Sequence, residues 1–247
     1  MYIHPPITEA VVGINFVETL DEDTKSSLTK KLSAHYAVHQ PIENLSVSVD
    51  LSATKGSQQT ANTQVSKETS HRFGSSDMTE LALVFPKSFV VSQMAPYPGW
   101  EPFFERFTRD WKLVRRALGF REIARIGVRF INRIDIPIEG PIVEHEKYLN
   151  IYPHVSDKYG ALSAYAVQAQ IFMDDMRCKL LLNSASIPSP LLNTASFLID
   201  IDISRDIEVP QKDEDILNLV SSIRPRKNDV FESCVTDLSR GLFKHDT

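Results

Sequence analysis

The sequence predicts an α+β protein made of two β-α-β(3-4)-α half-repeats, which join into one curved antiparallel sheet with helices on one face. Three observations lead there. Apolar and polar residues alternate in several short runs, the signature of half-buried strands. One helix carries a long aromatic stripe. The element order then begins again near Ile123. The halves are read as 1–120 and 121–247, either as two units or as one continuous domain.

The elements follow in order. Ile7 to Val17 is a strand with Ala10, Val12, Ile14 and Phe16 on one face. Asp21 to Tyr36 reads as a helix, with acids in its first turn and Lys30 and Lys31 later, which suits the macrodipole. Leu45, Val47, Val49 and Leu51 alternate strictly with polar residues. Residues 53–67 have little to bury and read as a mobile hairpin tip. Strands are expected at Thr69–Phe73, Leu81–Phe85 and Phe89–Met94.

Trp100, Phe103, Phe104, Phe107, Trp111, Val114 and Leu118 then form one apolar stripe at helical spacing, ended by Gly119. The second half opens with a long strand, Ile123–Ile136, and a short helix within Pro141–Asn150. Strands follow at Tyr165–Met173, Arg177–Leu182 and Phe197–Ile203. Two helices, Asp213–Ile223 and Asp229–Phe243, finish the chain. In the last helix, Val230, Phe231, Cys234, Val235, Leu238 and Leu242 are expected on the buried side. This order is that of the TATA-binding-protein-like fold, a likeness of architecture that carries no function by itself.

Three stretches carry a further resemblance: Pro5-Pro6-Ile7-Thr8-Glu9-Ala10-Val11-Val12, Tyr97-Pro98-Gly99-Trp100-Glu101-Pro102-Phe103 and Gly127-Val128-Arg129-Phe130-Ile131-Asn132-Arg133-Ile134-Asp135. Together with Phe197–Asp202 and Phe231–Phe243, they resemble a sporadically distributed bacterial family of uncharacterised proteins. Its members show an opening P-P-[IV]-x-E-[AV] strand, a Y-x-x-W-x-x-F helix start and a central R-[FY]-[IL]-N-R-I strand. The resemblance implies an accessory bacterial gene, in a mobile element or a defence system, and no defined chemistry.

Composition narrows the function. The net charge is -5, which argues against a general binder of nucleic acid or anionic membrane. Residues 101–133 nevertheless net +5, leaving -10 elsewhere. There is no phosphate-loop glycine pattern, no H-E-x-x-H and no G-x-S-x-G. Cys178 and Cys234 form no disulfide framework or zinc cluster. His35 and His39, four apart, offer two ligands on one helical turn with no third nearby. No cofactor or metal is called for. With no leader-like start and no long apolar run, the expectation is a cytoplasmic protein with reduced thiols and no membrane span.

The candidate binding residues lie on the central strand. Arg125, Arg129 and Arg133 share one face, opposite Ile126, Val128 and Phe130. Arginine forks suit phosphate and carboxylate. Asp200, Asp202 and Glu9 are placed to organise these arginines, or to consume them in cross-strand ion pairs. Asn132, on the apolar face, is expected to be a satisfied buried amide. The leading expectation is a non-enzymatic interaction module that binds a protein partner, an anionic ligand or a second copy through the open sheet face. One alternative is nucleic-acid binding by the same stripe with Arg109, Lys112, Arg115 and Arg116. Another is an enzyme acting on a nucleotide or small anion in a cleft between the halves.

Overall fold

The computed structural model describes residues 2–52, 60–138, 143–156, 158, 160 and 162–243. Its elements are β1 (Ile7–Phe16), α1 (Glu22–Leu32), β2 (Val38–Ser52), β3 (Thr60–Gly74), β4 (Glu80–Phe85), β5 (Ser88–Met94), α2 (Trp100–Leu118), β6 (Ile123–Pro137), β7 (Ala166–Met173), β8 (Cys178–Ile187), β9 (Thr194–Arg205), α3 (Asp213–Cys234) and α4 (Asp237–Leu242). All nine strands form one antiparallel sheet, in the order β2-β3-β4-β5-β1-β6-β9-β8-β7.

The two-residue period of the strands decides which side is core. Ala10, Val12 and Ile14 of β1, Ile126, Val128 and Phe130 of β6, and Ile199, Ile201 and Ile203 of β9 are all buried on one face. The α2 stripe closes over that face, with Phe103, Phe107, Trp111 and Val114 fully buried. Burying such side chains contributes roughly 1.5–3 kcal/mol each, so this layer dominates the stability of the fold.

Several expectations need correction. α1 starts as expected, with Asp21 accepting a bond from the Thr24 N–H at 2.8 Å, but it ends at Leu32. His35 and His39 therefore share no helical turn. His39 lies on β2, with Nε2 3.1 Å from Nδ1 of His71. Of the expected hairpin tip, 53–59 lie outside the described residues, while 60–67 belong to β3 and pair with β2. Of the expected helix at 141–150, Pro141 and Ile142 lie outside the described residues; in the rest, only a single 3-10 turn, His145–Lys147, is helical.

The largest correction is α3. It runs unbroken through Pro225, where two helices were expected. A proline inside a helix removes one backbone hydrogen bond and costs about 3 kcal/mol. Here Ile216, Val220 and Ile223 before it, and Phe231 and Cys234 after it, are all buried along the helix, and that packing offsets the loss. The chain breaks instead at Val235, which is extended, and so Leu238 of α4 is turned outward and 55% exposed rather than buried.

Candidate functional site

The arginine stripe is on the open face, as its spacing implies, and each arginine has an acid of its own. Arg125 donates to Asp202 at 2.7 Å. Arg129 grips Asp200 with both arms of its fork, at 2.7 and 2.8 Å. Arg133 donates at 3.1 Å to Asp135 of its own strand, an acid the sequence reading had not assigned to it. Asp200 is only 3% exposed and also accepts from Asn183 at 3.1 Å, while Gln168 donates to Asn183 at 2.8 Å. Asp135 is held further by the Ser196 hydroxyl at 2.5 Å.

Burial pushes the Asp202 carboxyl up, against the pull of Arg125. The hydrogen bond to Asp200 pushes the Arg129 guanidinium up. Glu9 contacts none of the three arginines by hydrogen bond. Its carboxylate accepts the Ser92 hydroxyl at 2.5 Å. The three arginines are thus each bonded to an acid, Arg125 and Arg129 in the cross-strand pairing weighed above and Arg133 within its own strand.

The basic helix lies on the other side of the sheet. Trp100 of α2 meets the Phe130 ring at 6.4 Å, and Phe130 faces away from Arg129. The stripe and the helix therefore present no common surface. Arg109 donates to Asp110 at 2.9 Å and lies over the Tyr36 ring. Arg115 ties α2 to the start of α3, bonding the Gln211 carbonyl at 2.7 Å and pairing with Asp213 at 3.1 Å. Lys112 and Arg116 are exposed. Arg106 is buried, donating to the carbonyls of Leu81 at 3.1 Å and Ser92 at 2.6 Å and to Tyr36 Oη at 3.1 Å.

A cavity of about 530 Å³ opens on the helix side, and the three resemblance-bearing stretches meet in it. Pro5, Pro6 and Ile7 form one wall. Tyr97, Pro98, Gly99 and Trp100 form the second. Phe130 and Asn132 of β6 form the floor, and Arg224, Lys227 and Phe231 of α3 the remaining wall. The entry strand is anchored there by the Arg133 N–H to the Pro6 carbonyl at 2.8 Å and by Tyr2 edge-on to Phe243 at 5.1 Å. Gly99 takes φ of 108°, a conformation that favours glycine, and so turns the chain into α2. It supplies no side-chain cap, and α2 begins at the cavity wall with the positive end of its dipole.

Three polar groups define the chemistry of this cavity. Asn132 is buried and donates its amide to the Ile199 carbonyl at 3.0 Å, so the donor half of the expected satisfied amide is met. That bond orients Oδ1, which meets no donor among the described residues. Arg224 is engaged by Glu101 at 2.6 Å and stacks over Trp100. Lys227 is different. It is 7% exposed, with Nζ 4.0 Å from the centroid of the Phe130 ring, and it has no hydrogen bond or ion pair among the described residues. Burial, with help from nearby Arg224 and against the pull of Glu232, lowers its pKa to about 8. Burial likewise pushes the Tyr97 phenol up.

At the rim, burial raises the Glu232 carboxyl, but hydrogen bonds from Tyr2 and Arg240, at 2.7 Å each, outweigh it and hold the group low. Lining cations outnumber acids three to one. Burying a charge without an ion-pair partner is costly, and the face of the Phe130 ring is the contact that the described residues give this ammonium.

Lys227 carries no local mark, because residues 224–228 read as a break between two helices. A lysine four residues after Ile223 and four before Phe231 was the available signal, provided the helix crosses Pro225. Among the described residues no group of three or more His, Cys, Asp or Glu is placed to hold a metal ion, and no helix is long and apolar enough to cross a membrane. No protein-family model matches the chain, and no curated protein is found similar to it.

Proposed function

We propose that the chain is a binding module for a small anion carrying an aromatic or apolar body, held in the cavity between α2 and α3. The observation that carries this reading is Lys227: a buried ammonium over the Phe130 ring, with no hydrogen bond or ion pair to an acid among the described residues, in a cavity of ligand size. The anionic group sits on Lys227 and the start of α2, Asn132 Oδ1 is open to a donor on the ligand, and Trp100, Phe130 and Phe231 cover the body. Charge-assisted bonds of this kind are roughly twice as strong as neutral ones. This moves the anion site of an interaction module from the open sheet face to the helix side. The half-repeat reading belongs with it. Its support is the strand order outward from the central β1–β6 pair, β5-β4-β3 on one side and β9-β8-β7 on the other, with the cavity between corresponding helices.

Thermal melts and calorimetry with four probes test the proposal: phenyl phosphate, benzoate, inorganic phosphate and neutral benzyl alcohol. A ligand bound only by the folded chain raises stability by RT ln(1 + [L]/Kd). We expect phenyl phosphate or benzoate to stabilise the protein most, inorganic phosphate less, and the alcohol least. Flat melts with both aromatic anions, or equal shifts in wild type and Lys227→Met, would refute the site.

A further inference from the structure

We infer that the chain forms a two-fold dimer by antiparallel pairing of β7 with β7 of a second copy. The two ends of the sheet are unlike. The strand at one end, β2, contains Pro41, which has no N–H to donate, and the charged residue Glu43. Proline and charge are the usual means by which an edge is kept from pairing. β7, at the other end, reads Ala-Val-Gln-Ala-Gln-Ile-Phe-Met, with no proline, glycine or charge. Apart from its ladder with β8, residues 166–172 make no backbone hydrogen bond among the described residues. Counting outward from the β1–β6 pair, β3 is the third strand on its side and is covered by β2; β7 is the third on the other side and has no further strand beyond it among the described residues.

The sequence of β7 also suits itself. Pairing about Gln170 sets Val167 against Met173 and Ala169 against Ile171 on the helix side, and Gln168 against Phe172 on the open side. The helix-side pairs are apolar against apolar, the open-side pair sets an amide beside a ring, and no charge opposes a charge. Ile171 and Phe172, 49% and 48% exposed, are the large apolar side chains that the second copy covers. Such a contact is isologous and closes at two chains, so it yields a dimer rather than a fibre. The inference does not depend on the anion cavity, which lies across the sheet beside β1 and β6.

Light scattering coupled to gel filtration, run over a dilution series of the full chain, tests it. Wild type is expected at twice the monomer mass of 27.9 kDa. Ile171→Lys is expected to be a monomer with an unchanged circular dichroism spectrum, and Leu192→Lys, in an exposed loop, to remain a dimer. Amide hydrogen exchange should show protection at 166–172 in wild type that is lost in Ile171→Lys. A monomeric wild type, a dimer that survives Ile171→Lys, or protection of β7 only when an unrelated peptide is added would each overturn the inference.

Discussion

The open sheet face and the helix-side cavity both hold partly or fully buried cations, and they are built in opposite ways. On the open face, Arg125, Arg129 and Arg133 each have a carboxylate within 3.1 Å. In the helix-side cavity, Lys227 has none among the described residues, and its pKa falls to about 8. A cation paired with an acid in the same fold has little left for a ligand, and removing it leaves the acid unmet. A cation that the fold desolvates and leaves unpaired destabilises the empty protein and rewards whatever neutralises it. Positive charge in the sequence thus marks two roles, and only the partner distinguishes them.

That contrast can be broken or sharpened by substitution. The largest effect is expected at Lys227→Met, which should weaken phenyl phosphate binding about 30–100-fold by calorimetry, the worth of one charge-assisted contact. Arg129→Met should leave binding unchanged and lower stability by about 2 kcal/mol, because Asp200 stays buried with only Asn183 to bond it. In a chain of this size that is a loss of roughly 4–8 °C in Tm. Next comes pH. An anion bound by the ammonium loses affinity as Lys227 deprotonates, so Kd should rise about tenfold per pH unit above about 8. The smallest effect is expected at Arg133→Ala, whose pair with Asp135 lies within one strand and is partly exposed; about 0–1 kcal/mol should be lost in a denaturant melt.

The pH dependence of stability has a definite sign. Lys227 is lowered in the folded state from an ordinary value of 10.5 to about 8. Between those values the unfolded chain binds more protons, so this group makes stability rise with pH across that window. Below about pH 8 the full cost of the buried ammonium is present. Bound anion should flatten the rise, because it stabilises the charged form.

Much of the fold could be read in the residues, since its signals are local. An apolar residue at every second position marked β1 and β6, and the aromatic stripe marked α2 almost to the residue. The pairing of Arg125 with Asp202 and Arg129 with Asp200 could be weighed in advance, because period two put them on one face. What escaped depends on distant packing. Pro225 reads locally as a helix end, and only the core under α3 carries the helix through it. Lys227 therefore had no face until the helix was continuous. Arg106 likewise reads as part of a solvated basic face, yet it is buried against carbonyls of β4 and β5 that lie far from it in sequence. The cavity was foreshadowed only by the stretches that line it, since no spacing rule connects Pro5, Tyr97 and Asn132.

The most direct measurement is a paired thermal melt of wild type and Lys227→Met near neutral pH, each with and without phenyl phosphate. We expect the variant without ligand to be the more stable, by on the order of 2–3 kcal/mol, because a desolvated charge has been replaced by an apolar side chain of similar length. We also expect the ligand-induced rise in Tm to vanish in it. A variant that is less stable than wild type and keeps its full response to phenyl phosphate would contradict the assignment of Lys227 as the anion anchor.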